Sequence, residues 1–465
     1  MAGVAHFSGT VRPVVWLVAP VLIEQLLALS VGFTDKWLAG NLLEGAEFLA
    51  AIGLVAYCLV LLPGLFAIPA VAATALVARS VGAGDMPAAR RAAAQSFLVG
   101  TALVGIVAIL IAITGAAFVR GLGLPAESAG LAMRYLAIVV PALPAMMIIY
   151  VGVAVLRGAG NMVAGLLAMT VVNLVNAAAS FALATGLCGL PRLGWEGLAW
   201  GTLAGYCCGA TCVIFLFTRR RYGLRPQAGD WRPNALGLKR ILGVGVPAGI
   251  DAAANAACHL AFLAIVNRLG NVDAAAHAVA ITIESLAFLP GSAFQVAAAT
   301  LSGQFLGAGD ERRARGSVWL ATLGGVALMT AAGILFLVMA DTLAAWFVGG
   351  AARQPEVAQL TATLVRIVAF AQPPLALLMV LSGGLRGGGA TRPPLLVNFL
   401  GLIVIRLPLA MLLAWPEIVL PGGLIIPGMS LGAAGAWYAM AADLTVRGGA
   451  MLIIFQQKSW SRVRL

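Results

Sequence analysis

Charge is scarce in this chain. Asp, Glu, Lys and Arg together make up 10% of its 465 residues, whereas 62% are hydrophobic. Soluble globular domains carry about a quarter charged residues, so this composition excludes one. Cysteine is scarce too. The six residues Cys58, Cys188, Cys207, Cys208, Cys212 and Cys258 lie almost entirely within apolar runs, with no CxxC spacing and no histidine cluster beside them. That pattern excludes a disulfide framework and a zinc ribbon, and it reads as small core hydrophobes. Cys208 and Cys212 share a helical face but have no further ligands within reach for a metal. The GxxxxGK[ST], HExxH and GxSxG patterns are missing, which leaves no nucleotide loop, metalloprotease helix or nucleophile elbow. An enzyme, even a membrane-embedded one, is therefore the remote alternative, and no cofactor is expected. The first apolar run is too long for a signal-peptide core and no small-residue cleavage site follows it. It reads as a retained span.

What the chain has in abundance is apolar length. Mean hydropathy is +1.00, and twelve apolar runs, from 14–38 and 48–77 to 433–456, are each able to cross a hydrocarbon core of about 30 Å as a helix. Glycine, with 56 residues, suits helices that approach closely in lipid. The fold class expected is an all-α integral membrane protein of twelve transmembrane helices. The net charge of +12 is an orientation signal and does not mark a nucleic-acid partner. Most basic residues fall in alternate loops, among them Arg79, Arg90, Arg91, Arg219–Arg221 and Arg312, Arg313 and Arg315, while the opposite loops hold only Arg120, Arg192, Arg268 and Arg353. The positive-inside rule then places both termini in the cytoplasm of a multi-pass cell-membrane protein. Its partners are expected to be membrane lipid and a small organic molecule, with the chain acting as a monomer.

Three phrases occur twice, in the same order. "APVLIE" (Ala19–Glu24) matches "VPAGID" (Val246–Asp251), "VGAGD" (Val81–Asp85) matches "LGAGD" (Leu306–Asp310), and "LRGAGN" (Leu156–Asn161) matches "LRGGGAT" (Leu385–Thr391), at offsets of 227, 225 and 229 residues. Two six-span halves explain all three: an N-lobe over 1–217, a basic cytoplasmic linker over 218–240 and a C-lobe over 241–465. An even number of spans per half makes the repeats parallel, which predicts two lobes around a pseudo-twofold axis along the membrane normal. In each GAGD phrase glycine permits a tight turn, aspartate can cap the next helix and the following arginines hold the loop inside. Contacts between the lobes are the second reading of these turns. Arg157 and Arg386 are expected to anchor the intracellular ends of the fourth and tenth spans.

Together with "FTDKWLAGNL" (Phe33–Leu42), "VNLVN" (Val172–Asn176) and "RLPLA" (Arg406–Ala410), these repeats resemble the multidrug and toxic compound extrusion (MATE) family over nearly the whole chain. The resemblance implies a two-lobed secondary antiporter that exports organic, often cationic, amphipathic compounds in exchange for H+ or Na+ by alternating access. A lipid-linked oligosaccharide flippase of the same superfamily is the alternative, for which extra spans and a more cationic cavity would be expected.

Carboxylates retained in hydrocarbon usually face a wet cavity. Asp35 stands where the family signature has the acid implicated in ion coupling, and Lys36 beside it either holds that acid ionised or snorkels outward. Glu24 lies three helical turns earlier on the same face, about 16 Å away. Asn173, Asn176 and Ser180 share a face of the fifth span; Asn176 matches an asparagine of the family's N-lobe cation site, and Ser180 replaces an aspartate found in one branch. Sodium would be ligated by Asp35, Asn176 and Ser180; several titratable acids lean instead toward protons. Another branch relies on acids in the seventh and tenth spans, where this sequence has Asn255 and Leu375. What remains there is a stripe of Asp251, Asn255 and His259. Glu284, with Gln295 three turns on, is either a second ion-binding acid or half of a buried pair with His259 or Arg268. His277 is assigned to packing, Arg406 to pairing with Asp443 or Glu284, and Met146, Met147, Phe288, Phe294 and Met379 to cavity lining.

Overall fold

The computed structural model describes residues 11–42, 48, 51–52, 55, 64–121, 126–219, 223–349, 354–419, 425–457 and 459–463. In the first half they form α1 (Val11–Leu42), α2 (Ala67–Gly82), α3 (Met86–Gly121), α4 (Ala126–Val139), α5 (Leu143–Gly158), α6 (Val163–Thr185) and α7 (Trp195–Thr218). The second half has α8 (Ala235–Asn267), α9 (Asn271–Gly307), α10 (Glu311–Phe347), α11 (Pro355–Gly387), α12 (Arg392–Leu400), α13 (Leu407–Ala414) and α14 (Gly432–Gln456). Eleven helices among the described residues are long and apolar enough to cross a bilayer, counting α4 with α5 and α12 with α13 as one each. The second expected run, 48–77, lies partly outside the described residues; what is described of it leads into α2, a shorter apolar helix.

Two of the spans are not plain α-helix. Pro141 and Pro144 bracket a 3₁₀ turn (Val140–Ala142) between α4 and α5, because a proline ring removes the donor that a continuous helix needs. Between α12 and α13, Gly401–Arg406 winds as a π-helix. A short antiparallel pair, β1 (Glu417–Val419) and β2 (Ile425–Pro427), with Ile418 opposite Ile426, precedes α14 and was not foreseen.

The buried apolar side chains fall into two main clusters. One runs from Val31 to Leu224 in the first half; the other is built mainly from α8–α14 but also takes in Val14, Leu17, Val18 and Val21 at the start of α1. The outer faces are apolar as well. Ile106, Ile109, Leu110 and Ile113 on α3 and Val338 on α10 are exposed, as lipid-facing side chains are. Cys207 and Cys208 share that exposed position and Cys212 is half-buried, so among the described cysteines only Cys258 fits the expectation of a core hydrophobe. Exposure costs an apolar thiol little when the surrounding solvent is hydrocarbon.

The GAGD phrases acquire a full physical account. Gly84 and Gly309 have φ of 75° and 77°, the left-handed region that glycine enters without penalty. Asp85 Oδ1 accepts from the Ala88 amide at 2.9 Å and Asp310 Oδ1 from the Arg313 amide at 2.8 Å, each capping the helix that follows. The first glycine of each phrase lies where the halves meet. A Cβ on Gly82 would stand 2.9 Å from Gln304 Cα, and a Cβ on Gly307 would stand 2.9 Å from Arg79 Cα. Since Arg79 and Gln304 are themselves 225 residues apart, the contact between α2 and α9 is reciprocal, as in a twofold dimer. Across the same seam Gln304 Nε2 donates to the Gly158 carbonyl at 2.8 Å and Thr300 Oγ1 to the Arg157 carbonyl at 3.3 Å. The halves are thus sealed together at the end that carries the GAGD turns.

The chain between the halves is also pinned. Gln95 on α3 donates to the Asp230 and Arg232 carbonyls at 3.0 and 2.8 Å and accepts from the Asn234 amide at 3.2 Å, while Arg90 pairs with Asp230 at 3.6 Å.

Candidate functional site

Each half encloses a polar cluster, and the two differ in chemistry. In the first, a stripe of glycines on α7 at Gly197, Gly201, Gly205 and Gly209 lets that helix press against α6; a Cβ on Gly197 would stand 2.7 Å from the Ala184 nitrogen and one on Gly205 2.9 Å from the Val172 carbonyl oxygen. This approach carries Thr202 to Asp35, which is 3% exposed. Thr202 Oγ1 donates to Asp35 Oδ2 at 3.0 Å, Tyr135 Oη on α4 donates to the same oxygen at 3.1 Å, and Asn176 Nδ2 donates to Oδ1 at 3.3 Å. Tyr135 and Thr202 lie 2.9 Å apart, Asn176 Nδ2 is 3.1 Å from Thr202 and 3.4 Å from Ser180 Oγ, and Ser180 donates to the Leu198 carbonyl.

Asp35 therefore has neutral hydrogen-bond partners and, among the described residues, no cationic one. Lys36 is exposed on the other side of α1, so it takes the outward course. The Asn176 side-chain oxygen is buried without a partner. Among the described residues no three His, Cys, Asp or Glu side chains assemble, so any cation here would rest on one carboxylate with amide and hydroxyl oxygens. Such oxygen ligands suit a hard ion.

Glu24 and Asn173 belong elsewhere. Glu24 pairs with Arg157 at 2.5 Å, packed over Gly165 where a Cβ would collide with the carboxylate. Asn173 donates to the Leu27 and Met169 carbonyls, holding α6 to α1.

The second cluster is ionic. Asp251, 2% exposed, is bonded by the Arg386 guanidinium, by Asn398 Nδ2 at 2.9 and 3.1 Å, and by Asn255 Nδ2 at 3.2 Å. Asn398 Oδ1 in turn accepts from Arg447 at 3.0 Å; Arg447 makes bonds of 2.9 and 2.6 Å to the two oxygens of Asp443, and Arg406 Nε donates to Asp443 at 2.9 Å. Buried ions persist only when paired and hydrogen-bonded, and this chain of contacts satisfies both requirements. Arg406 takes Asp443, one of its two expected partners.

This cluster forms one wall of a cavity of about 500 Å³, whose lining includes Asn255, His259, Glu284, Phe288, Gln295, Met379 and Arg406. Asp251, Asn255, His259, Glu284 and Gln295 are thus brought to one cavity. Glu284 has no ion-pair or hydrogen-bond partner among the described residues, and Arg268 instead lies over the Trp415 ring. The lining expectation holds for Phe288 and Met379 but not for the other three residues. Met146 and Met147 are core residues of the first half, and Phe294 fills the space above Gly324 and Gly325. His277 packs as expected, its Nδ1 accepting from Trp437 at 3.1 Å.

Sequence reasoning missed Tyr135, Thr202, Asn398 and the pairing roles of Arg157 and Arg386. Two signals were available. The four-residue glycine period of α7 marks the face that carries Thr202. The recurrence of an acid-bearing phrase and an arginine-bearing phrase at matching offsets marks Glu24–Arg157 and Asp251–Arg386 as the same ion pair made twice.

Comparison with known proteins agrees with this architecture. The MatE family model matches residues 20–182 and 247–412. A probable multidrug resistance protein NorM of Thermotoga maritima is 26% identical over 459 residues, covering 97% of this chain and 93% of its own length. The multidrug resistance protein MdtK of Pectobacterium atrosepticum is 25% identical, covering 92% and 91%. Among solved structures, a mutant of the Vibrio cholerae MATE transporter VcmN superposes with a TM-score of 0.85 at 19% identity over 96% of each chain.

Proposed function

Since the chain belongs to the MATE family, and is thereby a multidrug and toxic compound efflux transporter and not an enzyme, we propose that it works as a secondary antiporter. It exports amphipathic organic compounds that carry a positive charge, in exchange for protons, by alternating access of two lobes spanning 1–217 and 241–465, joined by the 218–240 linker. Both termini lie in the cytoplasm, and the sealed end with the GAGD turns is the cytoplasmic one, so the protein is drawn here facing outward. The transported compound occupies the cavity lined by Glu284 and Arg406.

The observation that carries the coupling is the neutral setting of Asp35. A carboxylate withdrawn from water without a counter-ion costs several kcal/mol, so it is held either protonated or against a bound cation. Loading and unloading that site changes the packing among α1, α4, α6 and α7, whose side chains meet at it. An ion that binds one arrangement better than the other shifts the population between them. A second reading, sodium as the coupling ion, is favoured by the Asn176 oxygen that lacks a partner. With Asp35, Ser180 and Thr202 it would supply a set of oxygen ligands.

The test is export of a fluorescent lipophilic cation from proteoliposomes under an imposed proton gradient or an imposed sodium gradient. Protons alone should drive export, and Asp35→Asn should abolish it. Export driven by sodium alone would transfer the role to that ion. Gradient-driven export that survives Asp35→Asn would remove Asp35 from the coupling.

A further inference from the structure

The charges around the second cavity do not cancel locally. Asp251 is taken by Arg386, and Asp443 is chelated by Arg447 through both its oxygens. Arg406 is left over. Its Nε is tethered to Asp443, but its two terminal amino groups have no acceptor among the described residues, and the side chain lines the cavity. Facing the same cavity, Glu284 is a carboxylate with no partner, and it makes no ion pair with Arg406 within 4 Å.

The backbone holds Arg406 where it is. The residue closes the π-helical segment Gly401–Arg406, an extra-residue turn of the kind that often marks functional sites because it re-aims side chains relative to a continuous helix. Gly401 opens that segment, and any Cβ there would collide with the aliphatic part of Arg447 and stand 2.7 Å from Asp443 Oδ1. Arg447 and Asp443 thus pack against the turn, and Asp443 fixes one edge of the Arg406 guanidinium. The opposite edge presents a planar pair of donors, the geometry that matches a carboxylate.

We propose that Arg406 is an anion-recognition residue and that the substrate of this cavity is an amphipathic zwitterion, its carboxylate on Arg406, its ammonium on Glu284 and its apolar body against Phe288 and Met379. This rests on the efflux reading and narrows its substrate class. A purely cationic compound satisfies Glu284 and leaves Arg406 buried beside a positive charge; a zwitterion satisfies both without changing the net charge of the cavity. Charge-assisted hydrogen bonds contribute about 1.5–3 kcal/mol, so the carboxylate should raise affinity about tenfold or more.

The experiment uses a matched pair of fluorescent probes, Nε-dansyl-lysine and its methyl ester, which differ in the carboxylate alone. Binding to the purified full chain is titrated by dansyl emission, and export of both probes is followed in proteoliposomes. Wild type should prefer the free acid about tenfold or more. Arg406→Gln should abolish or reverse that preference while ester binding persists, and Arg406→Lys should restore part of it. Asp443 keeps both bonds to Arg447 in these variants, and thermal unfolding confirms that they remain folded. Equal affinity of wild type for acid and ester, or an equal loss for both in Arg406→Gln, overturns the anion subsite; if the ester is still exported, the efflux reading survives. Binding and export of neither probe, while the protein exports another lipophilic cation, overturns the zwitterion proposal and leaves efflux standing. Failure with every compound overturns both.

Discussion

The reciprocal seam makes a sharp prediction for Gly82→Ala and Gly307→Ala. Non-bonded carbon atoms settle at about 3.5–4.0 Å, yet each new methyl would stand 2.9 Å from a backbone Cα of the facing helix. A helix backbone cannot step aside as a flexible side chain can, so the overlap belongs with overpacking substitutions that cost about 1–3 kcal/mol. The clash exists only while the halves are sealed. Alanine's advantage over glycine in a helix, about 1 kcal/mol, is present in every arrangement that keeps α2 and α9 helical, so it does not offset the clash. The unsealed population should therefore rise about 5- to 150-fold. Thr300 reports on it, because it is fully buried and its hydroxyl reaches across to the Arg157 carbonyl. Thr300→Cys is introduced into a background whose six native cysteines are alanine, and labelling by a water-soluble maleimide is timed. Both glycine variants should accelerate labelling, and by similar factors, since the two contacts are repeat-related. If either variant labels at the parental rate, α2 and α9 do not seal by backbone contact and the account of the GAGD phrases fails.

The ion pairs give further tests. Arg157→Ala strands the buried Glu24 carboxylate and should lower stability by about 3–5 kcal/mol in denaturant titration, with the double variant Glu24→Gln/Arg157→Met recovering most of the loss. Around Asp35, Tyr135→Phe and Thr202→Val remove donors that share one oxygen. A double-mutant cycle on thermal unfolding should return an interaction energy of about 0.5–3 kcal/mol, whereas independent sites would return about zero. Lys36→Ala should leave both gradient-driven export and melting unchanged, within about 0.5 kcal/mol. A marked loss would place Lys36 in the coupling site after all. Asp85→Ala and Asp310→Ala each remove a cap and should cost about 1 kcal/mol, measured the same way.

The apolar runs, their parallel repeat and the turn chemistry of GAGD were legible because each is written locally, in hydropathy, offset and residue type. The polar clusters were half legible. Asp35, Asn176 and Asp251 stand out as polar groups in apolar helices, so the expense of burying them draws notice. Tyr135 and Thr202 do not stand out, because tyrosine and threonine are unremarked in membrane spans until a partner is known. Their roles depend on how closely α7 approaches α6. Glu24 was legible as a residue and misleading as a site. Its face is shared with Asp35, but the arginine that claims it comes from α5, more than a hundred residues away. The π-helical turn at Gly401–Arg406 has no signature in composition, being decided by the packing of Arg447 and Asp443 on Gly401.

The seam between α2 and α9 treats the two halves as equals, whereas the clusters behind it do not. One half keeps a lone acid among neutral donors; the other keeps three arginines, two aspartates and an unpaired glutamate. In an assembly of two identical chains every change to one pocket would be imposed on both. Joining the copies into a single polypeptide lifts that constraint. The shared hinge can be preserved by keeping a handful of glycines and the residues they touch, while each pocket drifts toward its own ligand. Division of labour between an ion-handling half and a compound-handling half is then a consequence of covalent linkage, and it is recorded in which positions have stayed matched and which have parted.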